Sequence, residues 1–251
     1  MQLYLEGKNV LVTGGARGIG KAIAQAFVKE GAHVGIVARN ERELLETREE
    51  LNVSIYSKDL TIQHERKQLV EEFIEDFGSI DILVNNAGAS HGHGALSTPP
   101  ELFNQAMEIN FLAAVHLSQL ASESMIKNNE GVIINVASIY GKEAGGAPSY
   151  NASKSALISF TKSLSSELIK NNIRVVGIAP GAIYHPNEAW QNRLKEDPNF
   201  LKKYAEAKIP AGRLGKTEEI ANVAAFLASK KASWIVGTTI TVDGGQSKLN
   251  F

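Results

Sequence analysis

The 251-residue chain predicts an α/β fold: a mainly parallel sheet, doubly wound, with helices on both faces. Three observations carry that expectation. Short apolar runs alternate with longer segments of helical period from one end to the other. A helical segment, not a tight turn, follows each run, so successive strands need crossovers, which are right-handed and give parallel pairing. No repeat, low-complexity tract or interdomain linker interrupts the alternation.

Val10–Val12 is the first strand, and Gly18–Glu30 its helix, stopped by Gly31. His33–Ala38 is the second strand, followed by a charged helix over Glu41–Leu51, and Val53–Tyr56 a weaker third. Gln63–Phe77 places Leu69, Val70, Phe73, Ile74 and Phe77 at helical spacing and ends at Gly78. Ile80–Val84 is the fourth strand, and a long helix over about Phe103–Lys127 leads to the fifth, Val132–Val136. Tyr150–Lys170 reads as a helix and Ile173–Ile178 as the sixth strand. Thr217–Ser229 is a helix with Thr217 as N-cap and Glu219 in its first turn, and Thr239–Val242 is the last strand. The irregular stretches Ala89–Pro100, Ser138–Ser149 and Pro180–Pro210 follow strands at their C-terminal ends, where ligands bind in parallel sheets.

Composition narrows the function. With 43% hydrophobic residues the chain can bury one substantial core, and a formal net charge of −1 gives no electrostatic reason to expect nucleic acid or a membrane surface. The absence of Cys removes disulfides, thiolate catalysis and cysteine metal sites. No long apolar segment opens the chain, so a cytoplasmic protein is the default expectation.

Thr13–Gly20 reads T-G-G-A-R-G-I-G between an apolar strand and an amphipathic helix, the context of a dinucleotide-binding turn. Gly14 lets the chain leave the strand tightly, Gly18 leaves room for a pyrophosphate, and Gly20 lets helix and sheet pack closely. Free N–H groups at the helix start face the phosphates. No Gly-Lys-Ser/Thr follows, which excludes a Walker-type loop. A second pointer is Tyr150-Asn-Ala-Ser-Lys154, whose phenol and ammonium share one helix face. A free Tyr has a pKa near 10, so its anion at neutral pH costs about 4 kcal/mol, and a nearby Lys⁺ reduces that cost. Such a Tyr can exchange a proton with a carbonyl or hydroxyl oxygen.

The glycine turn, N-N-A-G at Asn85–Gly88, Ser138, Tyr150-x-x-x-Lys154, Pro180-Gly181 and Val242-Asp243-Gly244-Gly245 stand in the order seen in the short-chain dehydrogenase/reductases. The chain resembles that family over essentially its whole length, and in particular its 3-oxoacyl-acyl-carrier-protein reductase-like members. The resemblance implies one Rossmann-type domain with a seven-stranded parallel sheet over residues 1–251, usually a homotetramer, with a substrate lid at about 184–210. It also implies hydride transfer between a nicotinamide and a carbonyl/alcohol pair. By the same resemblance Tyr150 is the general acid/base, and Lys154 lowers its pKa and holds the nicotinamide ribose. Ser138 hydrogen-bonds the substrate oxygen, and Asn110 anchors a water beside Lys154. Gly14, Ala16, Arg17, Gly18, Ile19 and Gly20 hold the cofactor, with Leu60, Asn86, Ala87 and Gly88 on its adenosine side. Asp59 meets the adenine, while Pro180, Gly181 and Ile183 face the nicotinamide with Tyr150 and Lys154.

Many dinucleotide-binding proteins of this type place an acid at the end of the second strand to take the adenosine ribose hydroxyls. Here that position is Ala38, and Arg39 follows. An Arg fork suits a phosphate, and Arg17 adds a second positive contact, so the expected cofactor is NADP(H) in preference to NAD(H).

The chain departs from the family pattern in two places. After Pro180-Gly181 the sequence runs A-I-Y-H, so His185 stands where a Thr contacting the nicotinamide carboxamide is expected, and Ala179 stands at a frequent Asn. His91 and His93 lie two apart in a glycine-flanked loop with no carboxylate nearby, which points to the substrate mouth and not to a metal site. Ser90, His91, Tyr140, Lys142, Tyr184, His185 and Trp190 are the candidate substrate contacts, with Phe200 and Tyr204 on the lid.

Ile209–Gly215, I-P-A-G-R-L-G, resembles the stretch in 3-oxoacyl reductases. The basic residue those carry after N-N-A-G is absent, and Ser90 and His91 stand there instead. A 3-oxoacyl-thioester or related ketone is the leading substrate; sugars or polyols and cyclic alcohols stay open. Enoyl reductases of this kind space their Tyr and Lys further apart. From a different class, a non-catalytic NADP(H) sensor or scaffold is opposed by the intact Asn110, Ser138, Tyr150 and Lys154.

Overall fold

The computed structural model describes residues 2–185 and 193–250. Its strands are β1 (Asn9–Thr13), β2 (His33–Ala38), β3 (Ser54–Ser57), β4 (Ile82–Asn85), β5 (Gly131–Val136), β6 (Ile173–Pro180), β7 (Ile183–Tyr184), β8 (Gly215–Lys216) and β9 (Thr239–Val242). Its α-helices among the described residues include α1 (Gly18–Lys29), α2 (Glu41–Leu51), α3 (Gln63–Phe77), α4 (Pro100–Met107), α5 (Ala113–Asn128), α6 (Pro148–Leu168), α7 (Phe200–Lys208) and α8 (Thr217–Ala228). Seven strands form one parallel sheet in the order β3-β2-β1-β4-β5-β6-β9, the Rossmann-type arrangement.

The sheet is buried on both sides because successive residues of a strand face opposite ways. Val10 and Val12 of β1 point into one core, shared with Ile23 and Phe27 of α1 and Ile220 and Leu227 of α8. Leu11 points into the other, with Leu69 and Phe73 of α3 and Leu117 and Met125 of α5. Strand order reverses between β1 and β4, so their C-terminal ends part and open a crevice there.

Most expected elements are present with shifted ends: the third strand is Ser54–Ser57 and the fourth Ile82–Asn85. Two expectations need correction. The long helix is divided by a π-helical turn over Glu108–Leu112, where Ala113 N–H reaches Glu108 O. That wider turn carries Asn110, which is buried and bonded across to a loop, a common use of such turns near functional sites. Thr217 is the first helical residue of α8 and not its cap; Glu219 Oε2 accepts the Lys216 N–H at 2.7 Å instead. The two-residue pair β7–β8 forms a second small sheet that periodicity could not reveal. Among the described residues no helix is long and apolar enough to cross a membrane.

Candidate active site

The crevice at the C-terminal ends of β1, β2 and β4–β6 is a cavity of about 1160 Å³. Its floor is the glycine turn. Gly14 has φ +64° and its N–H donates to Val37 O at 2.8 Å, which swings the chain off β1. A Cβ on Gly20 would sit 2.2 Å from Gly14 O, so only glycine lets α1 close on the turn. Arg17 is the N-cap of α1 in extended conformation and uses no side-chain cap. The N-terminus of α1 therefore faces the crevice, as the turn predicts.

Thr13 ties this turn to the N-N-A-G segment, a role sequence reasoning missed. Its Oγ1 accepts N–H bonds from Asn86 and Ala87, both at 2.9 Å, and donates to Val84 O. Asn86 Nδ2 returns to Thr13 O at 2.9 Å and to Gly14 O at 3.3 Å, so its amide side chain braces the turn. Beneath them Asn85 reaches Asn135 and Ser118, and Asn135 reaches Thr161, a buried chain that fixes β4, β5, α5 and α6 together. Asn85 and Asn135 are paired in strand register, which only the fold discloses.

At the inner end of the crevice stand Ser138, Tyr150 and Lys154. Ser138 lies two residues beyond β5, caps a short 3₁₀ turn over Ile139–Gly141, and accepts Tyr140 N–H at 3.1 Å. The same hydroxyl stands beside the Tyr150 phenol and favours its ionised form. Lys154, buried, donates from Nζ to Val136 O at 2.8 Å, and Nζ lies 5.7 Å from the Tyr150 ring centroid. A Cβ on Gly88 would lie 3.4 Å from Nζ, which brings N-N-A-G against the lysine. Asn110 clamps the next residue: its Oδ1 accepts Ala89 N–H at 3.0 Å and its Nδ2 donates to Ala89 O at 2.8 Å. A further bond from Nδ2 runs back one turn to Ala106 O.

Burial governs the electrostatics. Desolvation pushes the Tyr150 phenol above its ordinary value, and the Ser138 hydroxyl opposes that shift. Desolvation brings the Lys154 ammonium down to about 8. In the free protein desolvation of the phenol outweighs the influences that favour its anion, so Tyr150 is held neutral.

The end expected to take the adenosine is lined by Arg17, Ala38, Arg39, Asn40, Glu43 and Lys58. Arg17 Nη1 lies 3.4 Å from Glu43 Oε1, and Arg39 Nη1 lies 3.9 Å from Asp59 Oδ2. Every expected cofactor residue lines the crevice except Asp59. Its Oδ1 instead accepts from both the N–H and the hydroxyl of Thr61, which turns the carboxylate away; Lys58 and Leu60 flank the opening.

Of the substrate candidates, Ser90, Tyr140 and His185 line the crevice. A Cβ on Gly145 or Gly146 would strike the Tyr140 ring, so that glycine pair packs flat against it. Burial, and the Tyr140 hydroxyl donating towards the Tyr204 oxygen, push the Tyr140 phenol up to about 12. Tyr204, on α7, also meets Gln246 Nε2 at 3.2 Å, and Gln246 Oε1 accepts Ala182 N–H. His185 does not face the substrate end: its ring lies about 3.3 Å from where a Gly18 Cβ would stand, over the phosphate turn. Burial lowers its pKa, and Arg17 adds to the shift. His91 and Tyr184 do not line the crevice; the His91 carbonyl accepts the Ser149 hydroxyl, and Tyr184 is exposed. Lys142 is turned outward, donating to Thr239 O and Thr241 Oγ1, both at 3.1 Å. Trp190 lies outside the described residues. No cluster suited to a metal occurs among the described residues.

A family model described as Enoyl-(Acyl carrier protein) reductase matches residues 14–247. The chain is 37% identical over 249 residues to the 3-oxoacyl-(acyl-carrier-protein) reductase FabG of Thermotoga maritima, covering 97% of this chain and 99% of that one. It is 35% identical over 254 residues to a 3alpha-hydroxysteroid dehydrogenase of Mediterraneibacter gnavus, covering 97% and 98%. Among solved structures, L-sorbose reductase from Gluconobacter frateurii, complexed with NADPH and L-sorbose, matches with a TM-score of 0.94. The identity there is 34%, over 99% of this chain and 100% of that one.

Proposed function

Because the chain belongs to the short-chain dehydrogenase/reductase family, an oxidoreductase of ketone and alcohol pairs, we propose that it reduces a ketone with NADP(H) at the crevice described above. The observation that carries this reading is the placement of Ser138, Tyr150 and Lys154 at one end of a single crevice and Arg17 and Arg39 at the other.

The glycine turn fits a pyrophosphate: Gly18 leaves bare backbone at the N-terminus of α1, and Arg17 and Arg39 flank the adenosine end. When bound, the nicotinamide supplies a hydride to the carbonyl carbon. Tyr150 supplies the proton: its phenol, kept neutral by burial, donates to the carbonyl oxygen as charge develops there. The Ser138 hydroxyl holds that oxygen beside the phenol and also steadies the phenolate left behind. Lys154, tethered to Val136 O, presents its ammonium to the ribose hydroxyls and to the phenolate. Asn110 acts at one remove, holding Ala89 and with it the segment that borders Lys154.

A 3-oxoacyl thioester is the leading substrate, supported by the 37% identity to the Thermotoga enzyme. A hydroxylated ketone is the second reading, favoured by Tyr140 on the crevice wall and by the likeness to a sorbose reductase. The four-residue step from Tyr150 to Lys154 speaks against enoyl reduction. The expected lid at about 184–210 lies outside the described residues over 186–192; its described part includes α7, held through Tyr204. The assembly is a homotetramer, which light scattering would read.

The test is oxidation of NADPH and of NADH by the pure protein against 3-oxoacyl thioesters, small diketones, keto-sugars and cyclic ketones. Turnover with NADPH on thioesters supports the leading reading, and turnover confined to keto-sugars replaces it with the second. Tight NADPH binding without turnover on any carbonyl would favour the non-catalytic sensor and overturn the enzymatic reading.

A further inference from the structure

Both arginines at the adenosine end already face a carboxylate. Glu43 reaches Arg17 at 3.4 Å and Asp59 reaches Arg39 at 3.9 Å, while the arginine side chains stay 71% and 74% exposed. The two acids differ in position. Asp59 is turned into its own Thr61 turn and leaves the crevice wall, whereas Glu43 lines the crevice beside Ala38, Arg39 and Asn40. Glu43 stands in the first turn of α2, whose cap Asn40 accepts the Glu43 N–H through Oδ1. A helix N-terminus favours an anion, so the first turn of α2 suits the Glu43 carboxylate, which stands at the edge of the space a ribose phosphate enters.

An incoming phosphate of about two negative charges meets this fixed charge and must also draw Arg17 away from it. A ribose hydroxyl carries no charge and meets neither cost. We propose that Glu43 is a cofactor-specificity residue, whose carboxylate competes with the adenosine phosphate for Arg17 and so weakens NADP(H) binding while leaving NAD(H) binding untouched. This inference rests on the reading of Arg17 as a phosphate contact. It narrows the gap between the two cofactors below what two unopposed arginines would produce.

The experiment measures the dissociation constants of NADPH and NADH for the wild type, Glu43→Gln, Glu43→Ala and Arg17→Ala, at low salt and at high salt. Removing the Glu43 charge is expected to tighten NADPH binding about three- to tenfold at low salt, the scale of an exposed ion pair plus repulsion of a nearby anion. NADH binding should stay within about twofold, and the NADPH gain should shrink in high salt as screening grows. Unchanged NADPH affinity in both Glu43 variants, with Arg17→Ala still weakening it, overturns the role of Glu43 alone. Equal gains for both cofactors overturn it too, since they would report a general loosening of the crevice. If Arg17→Ala leaves NADPH affinity intact, the phosphate reading falls and this inference with it.

Discussion

Lys154 Nζ is 2.8 Å from the Val136 carbonyl oxygen, so the last residue of β5 fixes the ammonium that stands beside Tyr150. The bond joins helix α6 to the sheet at the wall of the crevice, and it places a charge in a buried setting. Stability and the proposed chemistry therefore meet at this one side chain.

Lys154→Met should stabilise the free protein at neutral pH. In the folded state the ammonium titrates near 8, below its ordinary 10.5. Below about pH 8 both states hold the proton and the folded state carries the full desolvation cost; between about 8 and 10.5 the unfolded state holds more protons, so the wild type gains stability as pH rises. The variant should melt higher at pH 7, by on the order of 1–3 kcal/mol after loss of the Val136 bond, with the gap closing towards pH 9.5. A gap that does not change with pH would show that charge burial is not the cause.

Tyr150→Phe keeps the ring and removes the proton donor. Turnover should fall by on the order of 10²-fold or more with NADPH affinity retained, measured by steady-state rates and by cofactor fluorescence. Full activity would assign the proton to another group.

Asn110→Ala strips Ala89 of side-chain partners for both its N–H and its carbonyl. Urea unfolding should show a loss of about 1–3 kcal/mol, the cost of buried groups left unsatisfied. Cofactor affinity should weaken as well, because Gly88 and Ala89 line the crevice. Unchanged stability would mean that water replaces the amide without loss.

Gly20→Ala tests the closure of α1 on the glycine turn. Its Cβ would stand 2.2 Å from Gly14 O and 2.5 Å from Asn86 Nδ2, both in the brace that shapes the floor. The backbone has to move, so thermal stability should fall by about 1–3 kcal/mol or more and NADPH binding should be lost. Binding at wild-type strength would show that the turn is not the pyrophosphate seat.

Much of the site was legible in the sequence because its chemistry sits in short local patterns. The glycine turn, Tyr150 with Lys154, and Arg39 after Ala38 each depend on neighbours within one turn or one strand end, and all of them line the crevice. What was missed lies in pairs distant along the chain. Thr13 with Asn86, Asn110 with Ala89, and Tyr204 with Gln246 are joined only when strand order and helix packing are set. Lys142 and His91 read as mouth residues by position, yet neither lines the crevice, and the Lys142 ammonium is engaged by Thr239 and Thr241.

By itself the sequence determined the alternation of strand and helix, and through periodicity the two buried faces of the sheet, since a period of two or of 3.6 is a local property of the chain. Only the tertiary structure decided which charges oppose one another. Glu43 became the partner of Arg17, twenty-six residues away, and His185 came to lie over Gly18 and not at the substrate end. Burial likewise decided that Tyr150 is held as a neutral phenol and that Lys154 titrates near 8. The physical reason is the same throughout: electrostatic and desolvation energies depend on distance in space and on surrounding protein, neither of which is written in sequence separation.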